Sequence, residues 1–235
     1  MTTPPTTVLF DVDGTLVDTT YLHAVAWFRA CRQEGHVVPM ARLHRRIGMG
    51  SERLLDDLLP GRDRDRDDVL KAAHAEHLAA AAGLLERLPG ARDLLEAIDQ
   101  RGARVVLATS AAPVELRALR AALDAENVIS AVTSAADADA SKPAPDILRA
   151  ALEAAGSDAD HAIMVGDSPW DVLAARRAGL ACVTVTCGGT SHDELARAGA
   201  AAVYADPADL LAHLDESPIG ALLTDRPSPQ PAQRS

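Results

Sequence analysis

Apolar residues along the chain follow two patterns, which divide it into an all-helical part and a part in which strands and helices alternate. A short apolar run, Val8 to Phe10, is typical of a buried strand. From about residue 19 to residue 88 the apolar positions recur only at helical spacing. There we predict helices over residues 21–33, 51–59 and 69–82, with Ser51 as the N-cap of the second.

From residue 89 onward, short apolar runs alternate with helical patterns. The predicted strands cover residues 104–108, 131–134, 162–165, 182–186 and 202–204, and the predicted helices cover residues 92–100, 113–123, 145–155, 171–178, 191–198 and 207–214. Such alternation implies right-handed crossovers and a parallel sheet with helices on both faces. We therefore predict an α/β fold, a doubly wound, Rossmann-like parallel sheet with an inserted all-helical cap domain.

The same patterns predict where the domains begin and end. The core domain would comprise residues 1–18 and 89–216, and the cap domain residues 19–88. Residues 217–235 carry four prolines and are predicted to be a disordered tail.

Composition narrows the classes of partner. The chain has 235 residues, 48% of them hydrophobic but only 3% aromatic, and its formal net charge of −11 disfavours nucleic acid and anionic membranes as partners. An anionic substrate would therefore need a local positive site, and only two lysines are present, Lys71 and Lys142. Three cysteines without metal-ligand spacing, no signal-like N-terminus and no long apolar run indicate a cytoplasmic protein.

Two carboxylates follow the first predicted strand directly. Asp11 and Asp13 precede Gly14, which lets the chain turn away and leaves both acids at the carboxyl end of the strand. In open α/β sheets that edge binds ligands. An aspartate there can be a nucleophile toward an anionic substrate when a metal screens the charge. A calcium loop or a simple turn is the alternative, but Leu16 and Val17 stand where a calcium loop carries further acids.

Later strand ends supply the other parts of a phosphate site. Thr109 and Ser110 end the second strand, Lys142 precedes a proline, and Asp167 and Asp171 follow the fourth strand. Each alone has a structural explanation, as a helix cap, a surface lysine or a first-turn acid. Together they provide the hydroxyl donor, cation and acids that phosphoryl transfer requires.

Hard oxygen ligands next to a phosphate favour Mg²⁺. We predict Asp11 and Asp167 as direct metal ligands, with the backbone carbonyl of Asp13 as the third. Asp171 would bind through water or hold neighbouring groups in place.

This set of motifs, in this order, resembles that of the haloacid dehalogenase superfamily. A helical cap after the first motif is similar to the phosphoglycolate phosphatase and β-phosphoglucomutase branch. The resemblance implies that Asp11 is the nucleophile, which forms an aspartyl-phosphate, and that Asp13 is the general acid and then the base. It also implies that Lys142, with Ser110 or Thr109, holds the phosphate. The expected substrate is a small phosphorylated metabolite.

The cap residues leave two activities open. His23 and Trp27 resemble the mutase, in which His23 would steer Asp13 or assist proton transfer, unless the two rings simply pack together. Ser51 stands where the mutase pattern has an arginine for a second phosphate, so we favour a phosphatase. The loop around Gly48 and Ser51 would contact the substrate. A non-catalytic binding module would need a missing nucleophile, acid or metal ligand, and the oligomeric state, monomer or homodimer, stays open.

Overall fold

The computed structural model describes residues 4–138 and 140–224, and its centre is a six-stranded parallel sheet. The strands are β1 Thr7–Phe10, β2 Arg104–Ala108, β3 Ile129–Thr133, β4 Ala162–Gly166, β5 Ala181–Val185 and β6 Ala202–Tyr204. Their order is β3-β2-β1-β4-β5-β6. The chain therefore builds outward from β1 on one side and then returns to build on the other. That reversal is the switch point of a doubly wound sheet, as predicted.

Apolar side chains alternate between the two faces of this sheet. On β1, Val8 and Phe10 join one buried cluster and Leu9 joins the other. On β4, Met164 lies on the Leu9 side, while its neighbours along the strand lie on the opposite side. Both faces are covered by helices, so the central strands are apolar throughout, as fully buried parallel strands are.

Eleven α-helices are present in the described residues. They are α1 Thr20–Gln33, α2 Met40–His44, α3 Ser51–Leu58, α4 Asp67–Ala80, α5 Ala91–Gln100, α6 Pro113–Leu123, α7 Asp146–Ala155, α8 Pro169–Ala178, α9 His192–Ala198, α10 Pro207–Ala212 and α11 Pro218–Thr224. None of them has the length and apolar character needed to cross a membrane.

Several predicted helix starts are wrong by one or two residues, and the local reason is clear for α8. Helix α3 begins at Ser51 as predicted, but its N-cap is Gly50 rather than Ser51. Helix α8 begins at Pro169 rather than Asp171, because Ser168 caps it and proline is favoured at the first helical position.

Residues 19–88 form a helical segment with its own apolar core. Helices α1 and α4 pack along each other. A buried cluster separate from both faces of the sheet holds the segment together. Its buried members are Trp27, Ala30, Cys31, Val38, Leu43, Leu54, Leu55, Leu58, Leu70 and Ala73. The segment matches the predicted cap in position, and its status as a separate domain stays a prediction.

The prediction of a disordered tail from residue 217 is wrong for its first part. Residues 218–224 form α11, in which Ile219 is fully buried against the same face of the sheet as Leu210 and Leu214. Ile219, with the partly buried Leu222 and Leu223, therefore holds this segment on the core despite its proline content. The rest of the predicted tail, residues 225–235, lies outside the described residues.

If α11 belongs to the core, Ile219→Ala will lower the free energy of unfolding by about 2–4 kcal/mol, the usual cost of a buried cavity of this size. Urea denaturation of both proteins measures the difference. Val114→Ala, at an exposed position, is the matched control and should change stability little. A loss as small as that of the control would show that α11 contributes nothing to the core.

Candidate active site

The carboxyl ends of the three central strands lie level with one another. Phe10 pairs with Leu107 on one side and with Val165 on the other. Asp11, the next residue, donates its backbone N–H to the carbonyl of Val165 at 2.9 Å. The register therefore brings the residues that follow β1, β2 and β4 to one edge, as the sequence predicted.

Lys142 lies buried between two carboxylates at this edge. Its Nζ is 2.6 Å from Oδ1 of Asp11 and 2.8 Å from Oδ1 of Asp171, and the lysine is only 1% exposed. Burial disfavours its charge, but the two acids outweigh burial and hold the pKa of Lys142 above its usual value. The ammonium is therefore fixed in its charged form.

Burial and the charge of Lys142 shift the pKa of Asp11 in opposite directions. Burial has the largest effect, and it raises the pKa of the Asp11 carboxyl to about 7, with a smaller contribution from the charge of Asp171 and against the effect of Lys142. The single positive charge of Lys142 does not balance the negative charges of the acids around it. A further positive charge nearby would therefore stabilise the carboxylate form of Asp11.

Asp167 completes a cluster of buried acids. One oxygen from each of Asp11, Asp167 and Asp171 lies within 4.8 Å of the others. Burial, then the charges of Asp171 and Asp11, hold the pKa of Asp167 well above its usual value. The hydroxyl of Thr15 donates to Asp167 Oδ1 at a long 3.4 Å. Clustered oxygens with so little compensation are a donor set that fits a hard divalent cation.

Glycines leave room around these acids. A Cβ at Gly188 would lie 1.7 Å from Oδ2 of Asp167, and one at Gly14 would lie 2.6 Å from the same atom. A Cβ at Gly166 would lie 2.4 Å from Cγ of Asp171. Close approach of the backbone, rather than turn geometry alone, therefore requires glycine at these positions.

Asp171 has two structural partners. Its Oδ2 accepts a 2.6 Å hydrogen bond from the Ser168 hydroxyl and a 3.1 Å bond from the Ser168 backbone N–H, which forms the capping box of α8. Its Oδ1 faces Lys142. Because both oxygens are engaged, the arrangement favours the predicted supporting role over metal binding through water.

Asp13 lies apart from the acid cluster and accepts hydrogen bonds from three side chains. Thr19 donates to Oδ1 at 2.7 Å, His23 Nε2 lies 3.2 Å from Oδ1, and Thr109 donates to Oδ2 at 3.4 Å. Burial opposes ionisation, but the bond from His23 and its charge outweigh burial and lower the pKa of Asp13. The side chain is therefore separated from the predicted metal position, which suits the prediction that only its carbonyl is a ligand.

His23, on α1, connects the helical segment to the sheet edge. Its Nε2 is also 3.0 Å from Oε1 of Glu115, and its Nδ1 is 3.2 Å from Nε2 of His74. Burial lowers its basicity, yet the hydrogen bond to Asp13 and the nearby carboxylate of Glu115 raise the pKa of His23 to about 10. His23 is therefore an imidazolium at neutral pH.

His74 is the neutral partner of that imidazolium. Burial, followed by the charge of His23, lowers the pKa of His74 to about 3. Its ring stacks on Trp27 at 4.2 Å and on His23 at 5.3 Å. His74 therefore lies between the two rings that the sequence placed four apart on one helix, and the contact of His23 with Asp13 favours the steering role over simple packing.

Two neighbouring cavities open at this edge. The smaller, about 280 Å³, is lined by Asp11, Asp13, Lys142 and His23 from the site and by Gly48 and Ser51 from the helical segment. The larger, about 820 Å³, shares Ser51, Lys71 and Ser110 with it. The structure thus brings the predicted catalytic residues and the predicted cap residues to one space.

The two predicted hydroxyl donors, Thr109 and Ser110, have different surroundings in the structure. Ser110 lines both cavities, whereas Thr109 is fully buried, with its hydroxyl against Asp13 and the Ala111 N–H. This placement argues against a direct phosphate contact for Thr109 and leaves Ser110 as the hydroxyl donor.

Sequence reasoning missed Glu115 and His74. Glu115 is in the first turn of α6, where an acid is typical simply because it complements the helix dipole. His74 is one of several polar residues on an alanine-rich helix. The residues next to Glu115 and His74 in the sequence give no indication of a functional role for either.

Comparison with known proteins gives the family. The model of the haloacid dehalogenase-like hydrolases matches residues 5–179. The chain belongs to the haloacid dehalogenase-like hydrolase family. This confirms the predicted enzyme class, that of a phosphoric monoester hydrolase of this family.

Relatives of this hydrolase are similar over most of their length. A phosphoglycolate phosphatase from Rhodospirillum rubrum is 34% identical over 218 residues, covering 88% of this chain and 89% of the relative. The crystal structure of a hydrolase from Pseudomonas syringae has 37% identity and a TM-score of 0.86, covering 90% and 98% of the two chains. That of CbbY from Rhodobacter sphaeroides in complex with phosphate has 27% identity and a TM-score of 0.74, covering 90% and 99%.

The His23 contacts make stability depend on pH. The pKa of His23 is raised from 6.5 to about 10 in the folded hydrolase, so its stabilisation is complete below pH 6.5 and is lost as pH rises toward 10. We expect the stability difference between the wild type and His23→Gln to shrink by about 4 kcal/mol between pH 6 and pH 10, since each unit of pKa shift corresponds to about 1.4 kcal/mol. Urea denaturation of both proteins across this range measures it. His192→Gln, at an exposed position, is the control, and a constant difference for His23→Gln would contradict the assigned contacts.

Proposed function

We propose that this hydrolase is a Mg²⁺-dependent phosphatase of a small phosphorylated metabolite, acting through an aspartyl-phosphate on Asp11. One observation carries the proposal. A buried carboxylate paired with a buried ammonium faces the same cavity as a second, separately hydrogen-bonded carboxylate, Asp13. The relative from R. rubrum is named a phosphoglycolate phosphatase, and CbbY was solved with phosphate, which supports this substrate class.

Asp11, Asp167 and the backbone carbonyl of Asp13 would hold the Mg²⁺. When bound, the ion supplies positive charge that offsets the repulsion between the Asp11 carboxylate and an anionic phosphate. The uncompensated charge around Asp167 and the space left by Gly14 and Gly188 fit this assignment.

In the first half-reaction, a carboxylate oxygen of Asp11 attacks phosphorus and the bond from phosphorus to the ester oxygen breaks. Asp13 donates a proton to that oxygen, so the leaving group departs as a neutral alcohol. In the second half-reaction, water attacks the phosphorus of the aspartyl-phosphate and Asp13 takes a proton from it. Asp11 is regenerated and inorganic phosphate is released.

Lys142 and Ser110 would hold the phosphate during both steps. An ammonium has three donors, and two of those on Lys142 are directed to Asp11 and Asp171. The third is left for a phosphate oxygen. Ser110, on the wall of both cavities, is placed to donate a second hydrogen bond. The leaving group would lie against Gly48 and Ser51.

A β-phosphoglucomutase-like mutase is the second candidate, and the contact between His23 and Asp13 favours it. A mutase must bind a second phosphate group. A mutase would interconvert hexose monophosphates only with a bisphosphate primer, whereas a phosphatase releases phosphate without one.

A panel of phosphomonoesters including phosphoglycolate and glucose 6-phosphate tests the proposal. We expect the wild type to release phosphate from at least one ester, and Asp11→Asn to be slower by about a thousand-fold or more, because the amide is not a nucleophile. Asp99→Asn, at an exposed position, is the matched control. Equal rates for the wild type and Asp11→Asn would refute the proposed nucleophile.

Metal dependence can be measured both by turnover and by binding. EDTA should abolish phosphate release and Mg²⁺ restore it, and Mg²⁺ alone should raise the melting temperature of the wild type. Asp167→Asn should weaken Mg²⁺ binding by more than about 10-fold, since outer-shell changes already cost that much. It should also stabilise the metal-free protein, because it removes one of three clustered acids. Unchanged Mg²⁺ affinity in a calorimetric titration would exclude Asp167 as a ligand.

A further inference from the structure

The Nε2 of His23 faces two carboxylates rather than one. It hydrogen-bonds Oδ1 of Asp13 at 3.2 Å and lies 3.0 Å from Oε1 of Glu115. The Glu115 oxygen is buried and has no hydrogen bond of good geometry within the described residues, so its attraction to the ring is chiefly electrostatic. The Nε2–H of His23 therefore bonds to Asp13, and Oε1 of Glu115 offers the same N–H a second acceptor.

The two half-reactions place opposite demands on Asp13. As the base it must accept a proton, and the three donors around it stabilise its carboxylate form. As the acid it must itself donate to the ester oxygen, and a donor pointing at Oδ1 opposes that state. The N–H of His23 then needs a different acceptor.

We propose that Glu115 is a positioning residue that takes the Nε2–H hydrogen bond of His23 while Asp13 acts as the acid. This inference rests on the proposed function. When Asp13 acts as the base, the hydrogen bond returns to Asp13. The N–H bond stays on His23 throughout, and only its acceptor changes. The proton that Asp13 gives to the ester oxygen is recovered from the attacking water.

The surroundings of His23 limit its movement to this exchange. Nδ1 faces His74 at 3.2 Å, and His74 is backed by Trp27. Since one side of the ring is held, a small rotation suffices to turn Nε2–H from one carboxylate to the other. Glu115 lies in the first turn of α6, directly after the loop that carries Ser110, so the acceptor belongs to the element that would hold the phosphate.

Leaving-group dependence tests the proposal. An alkyl ester such as phosphoglycolate or glucose 6-phosphate needs its leaving oxygen protonated, whereas p-nitrophenyl phosphate releases a weak base that does not. We expect Glu115→Ala to lower kcat for alkyl esters by about 10- to 100-fold, less than loss of the whole acid, with less than about 3-fold for p-nitrophenyl phosphate. KM should change little for either ester.

Companion variants complete the design. Glu115→Gln, whose amide oxygen still accepts a hydrogen bond, should recover part of the alkyl-ester rate. Glu115→Met keeps the volume without the acceptor and carries the same expectation as Ala should Ala fold poorly. Glu153→Gln, at an exposed position, is the matched control, and Asp13→Asn gives the leaving-group pattern of a lost acid.

The outcomes separate this inference from the proposed function. Equal losses for alkyl and aryl esters, or an effect on KM alone, would overturn the role of Glu115. A wild type that cleaves no ester in Mg²⁺ would overturn the phosphatase itself. Equal losses of kcat/KM for both esters in Asp13→Asn would remove the acid that Glu115 is inferred to serve, and the inference with it, because kcat/KM reports only the steps up to departure of the leaving group.

Discussion

The burial of one ammonium between two carboxylates is the constraint on which the site depends. Lys142 joins the end of β1, through Asp11, to the first turn of α8, through Asp171. Removing one partner of such a group leaves an uncompensated buried charge, which is more costly than losing a surface pair. Lys142 contacts two of the three clustered acids, but its single positive charge balances only one of them, and the remaining negative charge favours a cation. The proposed nucleophile, the proposed hydrogen-bond donor to phosphate and the proposed metal position thus share one arrangement of charges.

The strand-end residues could be predicted because the backbone decides their position. Once the strands are parallel and in register, Asp11 and Asp167 must meet at one edge. Asp171 is instructive, since its contacts fit both the helix-capping explanation and the proposed supporting role. It caps α8 through one oxygen and holds Lys142 through the other. Thr109 and Ser110 could not be separated by sequence, because which of two adjacent hydroxyls faces a cavity depends on the local path of the loop.

The features that sequence did not predict arise from contacts between distant positions. Glu115 meets His23 across 92 residues of chain, and His74 meets His23 across 51. Nothing in the sequence near either residue marks that contact. Helix α11 was missed for a different reason. The prolines of the C-terminal segment argue for a tail, whereas Ile219, with Leu222 and Leu223, packs against the core.

The separate apolar core of the helical segment affects how easily the segment could move relative to the sheet. The contacts between the segment and the sheet edge include those of His44 with the Gly188 carbonyl and of Arg46 with the Trp170 ring. Moving the segment away from the sheet would expose little apolar surface to water, because the segment and the sheet each have their own apolar core. We therefore expect the hydrophobic effect to oppose a movement of the segment relative to the sheet only weakly.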